Sequence, residues 1–511
     1  MLTALGRAQT MPEVPRVVVN IIIDQLRSDY LEAFSPLYGE GGFVRLMQEG
    51  RSYSQAQYSF SDPDRASAVA SLISGTCPYE NGIVGLRWLD RQTLTPVYCV
   101  EDKAYPGWHT VEQVSPQYLG VSTLGDEMKV ASEGAALVMS VAPSSDAAVL
   151  SAGHAADAAF WIDDNTGSWC GSSYYGDFPL WAARYEKEQP LSSRIGKLHW
   201  KPFNELVGNF NYFVAGGVRK PFEHKFTGDR RYREFKASAC VNDETNRFIK
   251  HLMSNTAFGV DGVTDLLNVT YYAGSFDHRS VTEYGMELQD IYARLDRSLE
   301  ELFEIVEHRA GRGKALFVVT STGCTDPETA QDLSRYRIPT GTFSITRAKL
   351  LLNMYLIAVY GPGQYVETAL DNELYLNLKL IESRNMNLTE VLERSSDFLI
   401  QLSGVREVFT SQRLMVGAGA PGINLLRNAY NPHSSGDILI HIAPGWILEN
   451  EDTHEQSICR ESYMGFPLFL MGGGLQAEKV RTPVTIDQVA PTVAQVLRIR
   501  APNACDTPPL N

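Results

Sequence analysis

The sequence predicts an α/β protein whose central, mostly parallel sheet is flanked by helices. Two apolar runs predict the sheet, Val17–Asp24 and Ala315–Thr320. Their apolar residues are continuous rather than alternating, which is typical of parallel strands buried on both faces. Segments with helical spacing lie between such runs, including Ala66–Ile73 and the amphipathic Gly285–His308. This alternation of strands and helices indicates the α/β class.

The other elements of the core follow in chain order. Ser61 or Asp62 can cap the helix that begins near Ala66, with Pro63 in its first turn. Further along the chain, apolar runs predict a strand at Ala136–Val141 with its continuation at Ala147–Leu150, and two more strands at Val269–Ala273 and Phe466–Met471. The last predicted helix is Asp487–Leu497, capped through Thr485.

A second pattern separates residues 343–446 from the rest of the chain. Helices and short strands alternate there, which predicts an inserted α+β subdomain. The helices are Arg347–Tyr360, Leu388–Leu402 and Gly422–Ala429, and the strands are Glu373–Leu378, Val405–Thr410 and Asp437–Ala443. We therefore divide the chain into a tail at 1–14, a core at 15–342 with an insertion at about 155–260, the subdomain at 343–446, and a return to the core at 447–511.

Charge and hydropathy exclude some classes of partner. The 511 residues include 45 basic and 60 acidic side chains, a net charge of −15. Nucleic-acid backbones and anionic membranes both need a positive surface, so neither is an expected partner. No apolar run approaches the roughly 18 residues of a membrane-spanning helix.

The N-terminus carries a weak targeting signal. Residues 1–15 read MLTALGRAQTMPEVP, with small residues near Ala8 and two prolines soon after. This looks like the tail of a signal peptide and predicts a periplasmic or exported protein. A short N-terminal tail is the alternative.

Several motifs, in order over nearly the whole chain, resemble the alkaline phosphatase superfamily. They are IDQLRSDYLEAF, ISGTCPYENGIVG, SAGHAADAAFWIDDNTGS, ELQDIYARLDRSLEELF, SGDILIHIAPGW and IDQVAPTVAQVL. They are most similar to the bacterial phosphate-irrepressible alkaline phosphatases, which use a threonine nucleophile. The resemblance implies an alkaline-phosphatase-like core and phosphoryl transfer at two zinc ions, with the nucleophile at a helix N-terminus.

Matched residue by residue, the resemblance implies that most of the catalytic groups are replaced. Asp24 stands at the first metal-binding aspartate. An ungapped count places Arg65 at the nucleophile position, whereas a count with one inserted helical turn places Ser61 there.

The remaining ligand positions are also altered. Asp277 matches a metal-binding aspartate, but Val281 stands where its histidine partner is expected, with His278 on the wrong spacing. Thr322 and Gly323 replace an aspartate–histidine pair, and neither is a competent zinc ligand. The last histidine is matched by His454 in EDTHEQS. The asparagine, lysine and arginine expected to hold phosphate fall on Leu86, Ser144 and Asp146. An aspartate where a cation is expected would repel phosphate.

These losses favour a catalytically degenerate protein, a pseudoenzyme, that serves as a binding or assembly component of the bacterial cell envelope with an envelope protein as partner. No cofactor is expected beyond at most one residual zinc on Asp24, Asp277 and His454. The alternative is a metal-dependent phosphoric-ester hydrolase of the alkaline phosphatase or phosphodiesterase type with a rearranged site. A third possibility is a module that binds anions through Arg65.

Arg65 leads to a geometric hypothesis. A cation at a helix N-terminus is disfavoured by roughly 0.3–1 kcal/mol. We expect Arg65 to pair with Asp24 and to replace the missing metal charge. The competing interpretation is an arginine that turns outward into solvent.

Overall fold

A twelve-stranded sheet lies at the centre of the part of the chain that the structure describes. The structure is a computed structural model and describes residues 13–208, 221–279, 281, 283–325, 340–416, 422–451, 455–458 and 464–510. The strands are β1 Val17–Asp24, β2 Arg51–Gln57, β3 Arg87–Leu89, β4 Pro96–Tyr98, β5 Glu101–Trp108, β6 Gln113–Val114, β7 Val138–Val141, β8 Ala158–Ile162, β9 Trp169–Ser172, β10 His199–Trp200, β11 His224–Lys225, β12 Asp265–Tyr272, β13 Ala315–Ser321, β14 Thr342–Ser344, β15 Val366–Leu370, β16 Glu373–Leu376, β17 Val405–Thr410, β18 Ile438–Ile442, β19 Ile447–Asn450, β20 Glu455–Ile458, β21 Phe466–Gly472, β22 Glu478–Val480 and β23 Val484–Thr485.

Helices cover the sheet and fill the connections. They are α1 Ser28–Ala33, α2 Phe43–Glu49, α3 Arg65–Ser74, α4 Pro78–Asn81, α5 Leu124–Ala131, α6 Ser145–Ala152, α7 Leu180–Glu188, α8 Leu191–Ile195, α9 Arg231–Lys236, α10 Cys240–Asn255, α11 Gly285–Ala310, α12 Ile345–Tyr360, α13 Leu378–Ser383, α14 Leu388–Leu399, α15 Ser411–Val416, α16 Ile423–Ala429 and α17 Val489–Leu497. Short 3-10 turns occur at Ser35–Leu37, Ser173–Tyr175, Phe276–His278 and Ile486–Gln488. Among the described helices, none is long and apolar enough to cross a membrane.

The middle of the sheet is parallel, as the sequence predicts. The strand order is β22-β2-β21-β13-β1-β12-β7-β8-β9-β5-β6, with β23 also paired to β2. Strands β13, β1, β12, β7 and β8 run parallel, whereas β21 and β9 pair antiparallel on either side of them. The predicted α/β fold with a central, mostly parallel sheet is therefore confirmed.

Strand β1 explains why both faces of the sheet are covered. Val17, Val19 and Ile21 enter one hydrophobic core, while Val18 and Ile22 enter the core on the opposite face. Because successive side chains of a strand point to opposite faces, a continuous apolar run needs helices on both sides. Helices α10 and α11 cover the first face, and α3 and α6 cover the second.

Two local predictions in this region are wrong. Ala147–Leu150, predicted as a strand, lies inside helix α6. A short apolar run does not distinguish a strand from a buried helix, and its alanines favour the helix. The cap of α3 is Asp64 rather than Ser61 or Asp62, and its side chain accepts the Ser67 N–H.

Residues 343–446 include a separate four-stranded sheet of order β15-β16-β18-β17. Its hydrophobic core is distinct from the two cores of the large sheet, and Leu352, Leu376 and Ile440 belong to it. Strand β14, at the start of this segment, pairs with β19, which follows its end. The domain boundaries themselves stay a prediction.

Candidate functional site

Asp24 and Thr322 meet where two neighbouring strands end. Asp24 is the last residue of β1, and Thr322 directly follows β13. Since β1 and β13 are parallel, their carboxyl ends lie at the same edge of the sheet, where α/β proteins place ligands. The Thr322 hydroxyl donates to Asp24 Oδ1 at 2.9 Å and accepts the Gln25 N–H at 3.1 Å. The threonine thus holds the aspartate in place.

Helix α3 presents its first turn to the same point. Asp64 caps the helix and accepts the N–H groups of Ser67 at 2.9 Å and Leu86 at 2.5 Å. Arg65 is therefore the first residue of the helix. Ser61 lies ahead of the cap, and its backbone N–H donates to the Leu425 carbonyl.

The guanidinium of Arg65 joins two carboxylates. Its Nη1 donates to Asp24 Oδ2 at 3.2 Å, which confirms the predicted contact with Asp24. Its Nε and Nη2 donate to the two oxygens of Asp146 at 2.6 and 3.1 Å. Tyr98 also donates to Asp146, at 2.9 Å. The Arg65 side chain is 25% exposed, whereas Asp146 is fully buried, so these ion pairs are shielded from water.

The charges of this cluster stabilise one another. Burial alone would lower the pKa of Arg65, but Asp146 and Asp24 raise it well above its usual value. Burial would raise the pKa of Asp146, but Arg65 lowers it below its usual value. Burial, together with Asp146, raises the pKa of the Tyr98 hydroxyl. Arg65 therefore stays a cation and Asp146 an anion.

The bidentate pair with Asp146 was missed by the sequence analysis, which treated that aspartate only as a repulsive replacement. The residue types at positions 65 and 146 already indicated this pair. Arg65 stands where the resemblance implies a hydroxyl, and Asp146 stands where it implies a cation, so the two differences in charge are complementary. Tyr98 carried no comparable signal.

Asp277 lines the same cavity as Asp24 and Arg65. It sits in the 3-10 turn Phe276–His278 with a φ of 50°, so it occupies a loop turn. Its two oxygens accept hydrogen bonds from Arg230 and Arg279, each at 3.1 Å. Neighbouring His278 places its Nδ1 3.4 Å from the Tyr272 hydroxyl.

A cavity of about 410 Å³ brings most of the predicted residues together. Asp24, Arg65 and Asp277 line it, and so do Ser144, Asp146 and His278. Ser61 and Leu86 instead line a second cavity of about 770 Å³ between the core and strands of the 343–446 segment. Arg65 borders both cavities. His454 lies outside the described residues.

The described residues do not fit a two-zinc centre. Both oxygens of Asp24 and both oxygens of Asp277 already accept hydrogen bonds, and each carboxylate faces a guanidinium that would repel a dication. Gly323 has a φ of 70°, and a Cβ there would lie 2.9 Å from a Tyr58 ring carbon, so a histidine would not fit without rearrangement. Within the described part of the chain, no three His, Cys, Asp or Glu side chains are grouped to hold a metal ion.

The fold is that of an alkaline-phosphatase-like protein. The crystal structure of wild-type alkaline phosphatase PafA superposes with a TM-score of 0.84 at 24% identity, covering 98% of each chain. The chain belongs to the family of type I phosphodiesterases and nucleotide pyrophosphatases, whose profile matches residues 18–465. It is thus a member of a family of phosphoric-ester hydrolases.

Curated relatives span almost the full length. Alkaline phosphatase PhoV of Synechococcus elongatus is 28% identical over 519 residues, 96% of this chain and 91% of its own. A protein of Myroides odoratus named calcium-transporting ATPase is 28% identical over 520 residues, 96% and 93% of the two chains. Alkaline phosphatase PafA of Elizabethkingia meningoseptica is 26% identical over 517 residues, 97% and 94%. The predicted resemblance to the alkaline phosphatases is confirmed.

Proposed function

We propose that this chain is a catalytically degenerate member of its family that acts as a binding or assembly component of the bacterial cell envelope. The observation that carries the proposal is the Arg65 guanidinium bonded to Asp24 and Asp146 at the start of α3. By the family resemblance, this helix start should carry the hydroxyl nucleophile beside a metal bound to Asp24. An arginine has no nucleophilic oxygen, and its charge opposes a dication on the same aspartate.

The ligand positions support the same interpretation. Thr322 uses its hydroxyl to hold Asp24, and Gly323 has no side chain to offer. We expect no cofactor beyond at most one weakly bound zinc on Asp24, Asp277 and His454. Three protein ligands can support a zinc ion, but binding here would have to displace the arginines from both aspartates.

Location and partner are part of the proposal. We place the protein in the periplasm or outside the cell, on the basis of residues 1–14 and the family resemblance, and we expect an envelope protein as its partner. The net charge of −15 disfavours nucleic acid and anionic lipid as partners. Fractionation of the native host followed by N-terminal sequencing tests the location. Recovery of the uncleaved chain from the cytoplasm would contradict it.

The alternative is a metal-dependent phosphoric-ester hydrolase with a rearranged site. Membership of a hydrolase family over residues 18–465 favours it. A hydrolase would need a nucleophile other than Arg65 and a metal site that includes residues such as His454.

One experiment separates the two functions. Zinc content is measured by mass spectrometry on the protein as purified and after zinc loading, and p-nitrophenyl phosphate turnover is measured on the same samples. Alkaline phosphatase PafA is the positive control. We expect at most one zinc per chain and no turnover above the rate without protein.

Two zinc ions per chain with turnover would overturn the proposal and establish a hydrolase. A contaminating phosphatase is excluded with two variants. Turnover that belongs to this chain must disappear in Asp24→Asn and persist in Glu188→Gln, which changes an exposed carboxylate on α7.

A further inference from the structure

The second cavity, of about 770 Å³, lies between the core and the 343–446 segment and has a mixed lining. Leu86 and Trp88 form apolar wall on the side of the core, and Leu426 and Leu439 form it on the side of the segment. The carboxylates of the lining are Asp62, Asp64, Asp371 and Glu373. Apolar walls with a few charged groups, in a cavity of this size, are typical of a site for a small organic molecule.

Asp62 contributes a carboxylate that the protein leaves without a hydrogen bond. Its side chain makes none to any residue that the structure describes, and the nearest charge acting on it is that of His441. Asp62 is accessible to solvent, yet the protein around it displaces enough water to raise its pKa, an effect that His441 offsets only in part. A carboxylate in this state is stabilised by a cation that enters the cavity.

Glu373 has one oxygen in use and one that is not. Its Oε2 accepts the Gly436 N–H and the Tyr375 hydroxyl, each at 2.9 Å, whereas its Oε1 accepts no hydrogen bond from the described part of the chain. Burial raises the pKa of Glu373 to about 7, Asp371 adds to this and Arg91 acts against it. A cation beside Glu373 would favour its charged form.

The arginines around the cavity are not available to neutralise these two carboxylates. Arg65 is held by two aspartates of the other cavity, and Arg87 is exposed and forms no ion pair with a described residue. Arg91, which acts on Glu373 from outside the lining, is bonded to Asp437 at 3.0 Å. The cavity therefore keeps an excess of negative charge beside its apolar walls.

We propose that this cavity binds an organic cation, an ammonium or guanidinium group carried on an apolar stem, with Asp62 and Glu373 pairing the charge and Leu86 and Trp88 contacting the stem. The carboxylates would repel an anion. A ligand without charge would displace water from both carboxylates and give them no compensation. Only a cation with an apolar body matches both parts of the lining.

The cation has two possible sources, which share this chemistry. One is a free amine, and the other is a basic side chain of a partner protein. The inference does not depend on whether the chain is catalytic, because zinc content and turnover concern the other cavity. Failure of one proposal therefore leaves the other standing.

Isothermal titration calorimetry of the full chain tests the proposal with two cationic probes. Phenethylamine represents the free amine, and the peptide acetyl-Phe-Lys-Phe-amide represents the basic side chain of a partner. N-Acetylphenethylamine is the uncharged control of similar shape. We expect at least one cation to bind with a Kd of about 1 mM or lower, and the uncharged control to bind about 10-fold more weakly than phenethylamine where phenethylamine binds.

Asp62→Asn removes one charge with little risk to the fold. The side chain makes no hydrogen bond that would be lost, and asparagine tolerates the φ of 49° at this position. We expect binding of the cation to weaken about 10-fold. The matched control is Asp177→Asn, which changes an exposed carboxylate outside the cavity and should bind as the wild type does. Thermal unfolding without ligand verifies that both variants fold.

Glu373 provides a second measurement through its pKa of about 7. The cation should bind more tightly at about pH 8 than at about pH 6, because Glu373 becomes charged over this range. Glu373→Gln, which keeps an oxygen for Gly436 and Tyr375, should abolish this increase. An increase that persists in Glu373→Gln would overturn the role given to Glu373.

The other outcomes are equally distinct. The proposal is overturned if neither cation binds, if the uncharged control binds as tightly as phenethylamine, or if Asp62→Asn leaves the affinity unchanged. Binding of the peptide but not of phenethylamine would support the site and assign its cation to a partner protein. Binding of phenethylamine but not of the peptide would support the site and assign it to a free amine.

Discussion

Asp24 and Asp277 line the same cavity, but their charges are balanced in different ways. Asp24 ends a buried strand and faces Arg65, a side chain 25% exposed that also holds the fully buried Asp146. Asp277 sits in a turn, and its two arginines, Arg230 and Arg279, are 62% and 52% exposed. Removing Arg65 leaves two buried carboxylates without a cation, whereas Asp277, itself only 7% exposed, keeps one of its two arginines when the other is removed. The first group should therefore be needed for folding and the second should not.

Arg65→Met should have the largest effect, because it leaves Asp24 and Asp146 facing each other without a cation. We expect a loss of about 3–5 kcal/mol in the free energy of unfolding at pH 7. Urea denaturation monitored by circular dichroism measures this loss.

The double variant Arg65→Met/Asp146→Asn is the control for Arg65→Met. It should recover part of the stability, because one of the uncompensated carboxylates is removed. Equal stability of Arg65→Met and the wild type would show that Arg65 does not neutralise the two aspartates.

Asp146→Asn should lower the free energy of unfolding by less, about 1–3 kcal/mol, because Arg65 keeps its bond to Asp24.

The shifted pKa of Asp146 predicts the direction in which stability changes with pH. The folded-state pKa of Asp146 is lowered, chiefly by Arg65 acting against burial. Its contribution to stability is therefore present above the unfolded pKa of about 3.9 and is lost as the pH falls through the folded value.

Unfolding measured from pH 7 down to acid pH tests this linkage. The wild type should lose stability more steeply than Asp146→Asn below about pH 4. Parallel curves for the two proteins would contradict the assignment of Asp146 as a buried anion.

His154 is intermediate in exposure between Arg65 and the two arginines of Asp277, with a side chain that is 36% exposed. Its Nδ1 lies 3.0 Å from Asp126 Oδ2 and its Nε2 lies 2.9 Å from the Leu119 carbonyl oxygen. Both neighbours accept hydrogen bonds, so these contacts favour the protonated ring, in which both nitrogens donate. The hydrogen bond to Asp126 raises the pKa of His154.

Because the pKa of His154 is raised in the folded state, its contribution to the free energy of unfolding is fully present below the unfolded pKa of about 6.5. That contribution is lost as the pH rises through the folded pKa. Its exposure limits the effect to less than about 1 kcal/mol. An NMR titration of the ring gives the folded pKa, with His154→Gln as the stability control. A folded pKa at or below that of a model histidine would contradict the cation.

The fold could be predicted where one local signal dominates. Strands β1 and β17 begin and end at the predicted residues. Their continuous or alternating runs of β-branched residues match the pattern of buried positions in the folded strands. Ala147–Leu150 was misassigned because its burial arises from the packing of α6 on α3 and β8, which the local apolar pattern does not encode.

The site could be predicted only in part for a similar reason. The contact of Arg65 with Asp24 was predicted from the family resemblance, which places the end of a strand and the start of a helix at one site. The pairing of Arg65 with Asp146 joins residues 81 positions apart on adjacent helices, and Tyr98 reaches the pair from a short strand. Such contacts depend on the tertiary arrangement of helices rather than on local sequence.

Arg230→Ala should have the smallest effect and completes the comparison. Asp277 keeps Arg279 as a partner, and Arg230 is largely solvated, so we expect a change of about 0–1 kcal/mol that decreases further with added salt. The measurement is the same urea titration used for Arg65→Met, at low and at high salt. A cost as large as that of Arg65→Met would mean that Asp277, whose side chain is 7% exposed, depends on Arg230 even though Arg279 remains.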